Sequence, residues 1–292
     1  MKSHNILWSH LALIGCNIVW ACDYPFYNLL LGKYIAPAAM VSASLIVAAA
    51  LSWVPRLWSK PEKIERKDWG VIIFAALLMG LMRKTMMMFG LSRTSPIDGS
   101  IIATITPLLV LIVSVAAGTE RFTLRKLLGM ILGMAGAVAI ILTSTTPQHH
   151  HSEIWGNLMM ICSSAVTALY MVFFKRLVAK YRITTLLRAI YTISAIVATE
   201  FTTFTTHLWL AAAFVLIVPT YLPNLLLNYS LRYVPPTTTS IYAYIQPLLA
   251  ITISVAMGLD HLHIDTILFA ILLFTGVGLV VSNSSSRAIA RH

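Results

Sequence analysis

The chain has 292 residues, of which 58% are hydrophobic and 11% charged, and it carries a formal net charge of +11. Soluble domains are roughly 45–50% apolar and about 25% charged, so this composition excludes one and predicts an integral membrane protein. Cutting at charged and Pro/Gly-rich breaks leaves ten apolar stretches, near 7–31, 35–55, 69–91, 97–117, 124–143, 154–174, 183–204, 208–231, 236–257 and 264–282. Each is about the 17–25 residues a spanning helix needs. The runs are continuously apolar, without a period-2 polar alternation, which predicts helices rather than barrel strands.

The first stretch is too long for a signal peptide and shows no small-residue cleavage site before the second, so a retained helix is expected. Trp20 lies deep within it, and Asp23 precedes Tyr24 and Pro25. A proline inside a spanning helix releases a backbone carbonyl. Pro25 beside an acid therefore reads as a gate or proton site, or else as an acid satisfied by neighbouring helices. In the third stretch, GLMRKTMMMFGL sets Arg83 and Lys84 eight and seven residues before Leu91, roughly 12 Å from the outer end. A cation at a helix centre costs about 2.5–3.5 kcal/mol on insertion scales, and intramembrane ions normally face a cavity or a partner. Three readings stand: a site for a substrate carboxylate or phosphate, a structural pair with Asp23, or snorkelling toward the interface. The run Met86, Met87, Met88 reads as packing or lipid-facing filler, with a cavity wall as the alternative.

Pro107 and Pro247 interrupt the fourth and ninth stretches at matched depth, and broken helices are where alternating-access proteins place sites and hinges. Thr104 and Thr106 flank the first, and Tyr242, Tyr244 and Gln246 the second, offering hydroxyl, ring and amide groups to a substrate. Gly129 and Gly133 form a GxxxG that permits close helix approach within the fold or between protomers, so monomer and homodimer both stand. In the eighth stretch Pro219 and Pro223 flank Tyr221 and Asn224. The candidate substrate contacts are thus Arg83, Lys84, Asp23, Trp20, Tyr24, Thr104, Asn224, Tyr242, Tyr244 and Gln246, with Pro25, Pro107, Pro223 and Pro247 as hinges. Trp53 and Trp69 sit near helix ends and read as interfacial anchors, and Arg188 can reach the inner interface. Cys16, Cys22 and Cys162 show no metal-like or redox spacing, and His149–His151 lie in a polar linker. No metal or cofactor is expected.

The basic residues sort by loop. With a cytoplasmic N-terminus, Lys2, Arg56, Lys60, Lys63, Arg66, Lys67, Arg121, Arg125, Lys126, Lys175, Arg176, Lys180, Arg182, Arg232, Arg287 and Arg291 all fall inside, against Lys33 and Arg93 outside. The alternation fits the positive-inside rule and explains the net charge without nucleic acid. It predicts a multi-pass protein of the cell (inner) membrane with both termini cytoplasmic.

The chain also repeats itself. Sliding it by 140 residues lays SPIDGSIIATITPLLVLIVSVAAG (95–118) on PPTTTSIYAYIQPLLAITISVAMG (235–258), and half of that window is identical. Each half is then a five-helix unit, residues 1–143 and 154–285, joined by the polar linker 144–153 and followed by a tail at 286–292. Five is odd, so the second copy crosses the membrane in the opposite sense. Inverted repeats are the sequence signature of secondary transporters, with the substrate site near the midplane between the copies.

The paired SPIDGSIIATITPL and PTTTSIYAYIQPL, Glu120 after the fourth helix with Asp260 at its counterpart, and NIVWA in the first helix resemble the drug/metabolite transporter superfamily, specifically its EamA-type members. The resemblance covers nearly the whole chain. It implies an all-α membrane protein of ten transmembrane helices with a central cavity lined by helices such as 3, 4, 8 and 9, moving amino acids, other metabolites or drugs, often outward. The chain departs from that pattern at WACDYPFYN and PAAMVSAS, which lack cations common in the family; Arg83 and Lys84 stand as replacements. A secondary transporter for small organic solutes, an exporter before an importer, is the leading expectation. An intramembrane enzyme lacks support, since no HExxH, Gly-x-Ser-x-Gly or hydrolytic carboxylate pair occurs. A channel or receptor using the same polar cavity is the remaining alternative.

Overall fold

The computed structural model describes residues 2–30, 36–59, 62–94, 102–143, 154–199, 209–256 and 264–289. Helices occupy each of the apolar stretches: α1 (Lys2–Leu30), α2 (Pro37–Trp53), α3 (Arg66–Leu91), α4 (Thr106–Ala116), α5 (Leu124–Thr143), α6 (Ile154–Phe173), α7 (Ile183–Thr199), α8 (Trp209–Tyr233), α9 (Pro236–Ile241 and Ile245–Ala256) and α10 (Ile264–Ile289). Three helical segments among the described residues, Pro37–Leu57, Arg66–Leu91 and Ile154–Phe173, are long and apolar enough to cross a membrane.

The polarity of α1 is inside out relative to a soluble helix. Leu7, Leu11, Ile14 and Ile18, at helical spacing, are 38–59% exposed, while Ser9, Leu13, Cys16 and Asn17 are buried. An apolar stripe turned outward and polar groups turned inward are what a bilayer selects, since unpaired polar groups in hydrocarbon cost several kcal/mol each.

The principal helix contacts repeat when each helix is exchanged for the one five later. α2 packs on α7, α4 on α9 and α5 on α10, which are counterparts of each other. α1 on α8 is matched by α6 on α3, α1 on α9 by α6 on α4, and α2 on α8 by α7 on α3. This is the contact pattern of two like modules about a pseudo-twofold axis.

The tightest seam joins α5 to α10. A Cβ on Gly276 would fall 2.4 Å from the Gly133 nitrogen and 2.5 Å from the Gly129 carbonyl oxygen. The GxxxG of α5 is therefore spent within the fold, where small residues let backbones touch. The methionine run is also packed inward: Met88 is fully buried, and Met86 and Met87 lie against the two core clusters.

The prolines behave differently from a simple mid-helix break. Thr104 and Ile105 form a turn, and α4 starts at Thr106, which puts Pro107 in its first turn, where a missing N–H is tolerated. In the second half the matching residues Tyr242–Tyr244 form a 3-10 turn, and Pro247 follows in the next helical segment. The interruption thus lies just upstream of each proline, at positions 140 residues apart.

Gly276→Ala is expected to destabilise the purified protein by about 1–3 kcal/mol, the scale of overpacking. Gly278→Ala, which meets nothing within 4 Å, should stay within about 0.5 kcal/mol. Detergent unfolding curves of the two variants check this.

Candidate functional site

α3 supplies the cations, and its winding sets their direction. Its middle, Ala76–Met82, is a π-helix that ends at Arg83. Such segments are rare, re-aim the residues after them and frequently mark functional sites. The wide turn is held from α7, where Ser194 Oγ donates to the Ala76 carbonyl at 2.9 Å. A Cβ on Gly80 would fall 1.9 Å from that oxygen, so glycine is what admits the approach. From α6, Ser163 Oγ donates to the Arg83 carbonyl at 3.2 Å.

Arg83 is half-buried, with Nη1 3.8 Å from Met87 Sδ, and its charge is within electrostatic reach of the Tyr170 and Tyr191 hydroxyls. Lys84 is 7% exposed, so its side chain lies inside the bundle instead of snorkelling along lipid. Asp23, Tyr24 and Pro25 belong to the continuous α1 backbone, and their side chains fall outside the described residues, as does any pairing of Asp23 with these cations.

α8 carries a polar strip that α6 and α7 reach. Tyr221, Asn224 and Asn228 recur at i, i+3 and i+7, on one side of the helix. Tyr170 Oη donates to Asn228 Oδ1 at 2.8 Å, Asn228 Nδ2 to the Asn224 carbonyl at 2.7 Å, and Asn224 Nδ2 to the Thr220 carbonyl at 2.9 Å. Tyr191 Oη also donates to the Thr220 carbonyl, at 3.4 Å. Pro223 has no N–H for the Pro219 carbonyl, and side chains do much of the hydrogen bonding in this turn. The buried Thr220 Oγ1 and Tyr221 Oη have no hydrogen-bond partner among the described residues. Nearly all buried polar atoms are paired, so these two hydroxyls, beside the groups that bond Tyr170 and Tyr191, make this strip the candidate site.

A second polar group lies between α1 and helices α8 and α9. Asn17 Oδ1 accepts from Gln246 Nε2 at 2.7 Å, Tyr242 Oη is 2.7 Å from His10 Nδ1, and Cys16 Sγ donates to the Pro223 carbonyl at 3.2 Å. Gln246 and Tyr242 are thus engaged by α1. Tyr244 is fully buried against Gly133, Thr104 is buried, and Trp20 is half-buried against the core. The structure therefore gathers Arg83 and Asn224 with Tyr170, Tyr191, Tyr221 and Asn228, and keeps Tyr242 and Gln246 in a separate group with His10 and Asn17. Sequence reading missed Tyr170, Tyr191 and Asn228. The four-residue spacing of Asn224 and Asn228 was a usable signal, whereas lone tyrosines in apolar helices carry none.

At the end of the bundle that bears the basic loops, polar contacts gather within and between the halves. Glu120 and Lys126 form a buried ion pair, and Glu120 also accepts from Thr237 Oγ1 at 2.5 Å. Lys175 Nζ donates to the Val234 carbonyl at 2.7 Å; burial lowers its pKa, and Glu120 acts the other way. Lys180 bridges Glu65 at 2.7 Å and Asp68 at 2.5 Å. Hydrogen bonds from Lys180 hold both carboxyls below their usual range, and the Lys180 ammonium is pushed up by Asp68 and Glu65.

Depressed carboxyl pKa values stabilise above the unfolded value and lose that contribution as pH falls through the folded one; the raised lysine loses its contribution only as pH climbs past its ordinary value. The melting temperature should therefore hold a plateau between about pH 5 and pH 9 and drop at both ends. In Lys180→Gln the plateau is lower and the acid limb flatter.

Against known proteins, the profile of the EamA-like transporter family matches residues 7–142 and again 154–282. The chain is 24% identical over 290 residues to the uncharacterized transporter YyaM of Bacillus subtilis (strain 168), covering 95% of this chain and 93% of that one. It is 25% identical over 154 residues to an uncharacterized transporter of Archaeoglobus fulgidus, covering 53% of each. A solved crystal structure superposes with a TM-score of 0.74 over 98% of this chain and 99% of that one at 16% identity, a likeness of fold. With both halves matched, the chain belongs to the EamA-like transporter family, membrane proteins of the drug/metabolite transporter superfamily that act on small molecules.

Proposed function

We propose that the protein is a ten-span secondary carrier in which two inverted five-helix repeats, residues 1–143 and 154–285, alternate access to a central site for small organic solutes. Residues 144–153 link the repeats, 286–292 form the tail, both termini are cytoplasmic, and the host is the cell (inner) membrane. The observation that carries this reading is the exchange symmetry of the helix contacts, together with a charge asymmetry between counterpart helices. α3 presents Arg83 and Lys84, while its counterpart α8 presents Tyr221, Asn224 and Asn228. A carrier needs two equivalent modules that can rock, and a solute needs a place where they differ.

The substrate class follows from the donors. Arg83 offers a planar fork suited to a carboxylate or phosphate, and the Tyr191, Tyr221 and Thr220 hydroxyls suit a polar or aromatic remainder. An amino-acid-like or drug-like solute with one anionic group fits best. The Glu120–Thr237 contact and the Lys180 bridges to Glu65 and Asp68, which cross between the halves, support a conformation closed at the cytoplasmic end, and export is the direction we assign.

Reconstituted into liposomes and offered labelled amino acids under an imposed pH gradient, the wild-type chain should show saturable flux. Arg83→Gln should lower it about tenfold or more, since a charge-assisted hydrogen bond is worth about 1.5–3 kcal/mol. Chemical conversion of a solute, or flux unchanged in a folded Arg83→Gln protein, would refute the proposal.

A further inference from the structure

The bundle carries a further polar feature, outside the Arg83 strip. At the end with the basic loops, a groove of about 270 Å³ opens between α2, α3 and α7, lined by Trp53, Trp69, Glu62, Arg188, Thr192 and Ile193 among others. Its floor is fixed: Trp53 Nε1 donates to Thr192 Oγ1 at 3.1 Å, and the Arg188 guanidinium stacks over the Trp53 ring, 5.0 Å from its centre. Glu62 accepts the Arg182 backbone N–H at 2.9 Å, which leaves most of its carboxylate acceptor capacity unused.

The two charges share the groove without neutralising each other. Among the described residues no ion pair joins Arg188 to Glu62 or to another carboxylate. Opposite charges held apart in one groove match a zwitterion better than an anion or a cation alone. The walls say what kind. Trp53 and Trp69 are 51% and 41% exposed, as interfacial anchors are. One turn further along α7 and α3, toward the middle of the bundle, Ile196 and Ile73 are 61% and 43% exposed, so the groove runs into an outward-facing apolar wall. A ligand with a two-charge head at the interface and apolar tails in the hydrocarbon fits this arrangement.

We propose that the groove is a binding site for phosphatidylethanolamine of the leaflet on the basic-loop side, its phosphate on Arg188 and its ammonium on Glu62. The headgroup's primary amine matters. The Trp53 face is already taken by Arg188, so no open aromatic cage is left there for a quaternary ammonium, and the carboxylate rewards a group that donates N–H bonds. Phosphatidylcholine lacks that donor, and phosphatidylglycerol brings an anion with nothing for Glu62.

Native mass spectrometry of the full-length protein, released from nanodiscs holding equal parts of the three lipids, tests the assignment. Wild type should retain phosphatidylethanolamine over each of the others by about threefold, the scale of partly exposed charge pairs. Arg188→Gln should lose the preference, and Glu62→Gln should bring phosphatidylethanolamine and phosphatidylcholine to parity. Equal retention of the three lipids by wild type, a preference for phosphatidylglycerol, or an ethanolamine preference kept in either variant overturns the proposal. The wild-type comparison decides even where a variant fails to fold.

Discussion

A fixed positive charge inside a hydrocarbon slab is the constraint from which the rest of this molecule follows. Water is absent there, so the polar groups around Arg83 and Lys84 have to come from other helices. That requirement accounts for Thr220, Asn224 and Asn228 on buried faces of α8, while Leu7, Leu11, Ile14 and Ile18 of α1 face outward. It also explains why backbone regularity is given up nearby. In the π-helix and in the proline-bearing turn of α8, backbone carbonyls accept side-chain hydrogen bonds from Ser194, Tyr191 and Asn224.

Symmetry and asymmetry divide the work. The α5–α10 seam, where Gly276 meets Gly133, belongs to both halves equally and sets how closely they approach. The proposed site lies where the halves differ, α3 carrying Arg83 and Lys84 and its counterpart α8 carrying Asn224 and Asn228. The Glu120–Lys126 pair, linked to Thr237 at the start of α9, couples one half to the other at the end with the basic loops. A buried pair of this kind gives orientation more than net stability, because desolvation offsets most of its attraction. It suits a contact that forms and breaks in the proposed alternating-access cycle.

Much of the architecture was legible because membranes enforce simple rules. Run length located the helices, loop charge gave a consistent alternation, and the 140-residue offset exposed the duplication before any coordinate. The details of the site were less accessible. Nothing in ALLMGLM announces a π-helix, whose wide turn depends on Gly80 meeting a serine from a helix more than a hundred residues away. Tyr170 and Tyr191 read as ordinary core residues until α6 and α7 bring them to Arg83. Tyr242 and Gln246, chosen for their chemistry beside Pro247, are instead bonded to His10 and Asn17 of α1. Sequence gives the inventory of polar groups, and only packing decides which of them pair off.

The opposed insertion of the two halves is the premise of the carrier account, and it can be measured without knowing the solute. Thr119 and Leu259 stand at equivalent positions after α4 and α9. In a cysteine-free background, Thr119→Cys should react with a membrane-impermeant thiol reagent only from the cytoplasmic face, and Leu259→Cys only from the opposite face. Labelling of both from the same face would contradict the account.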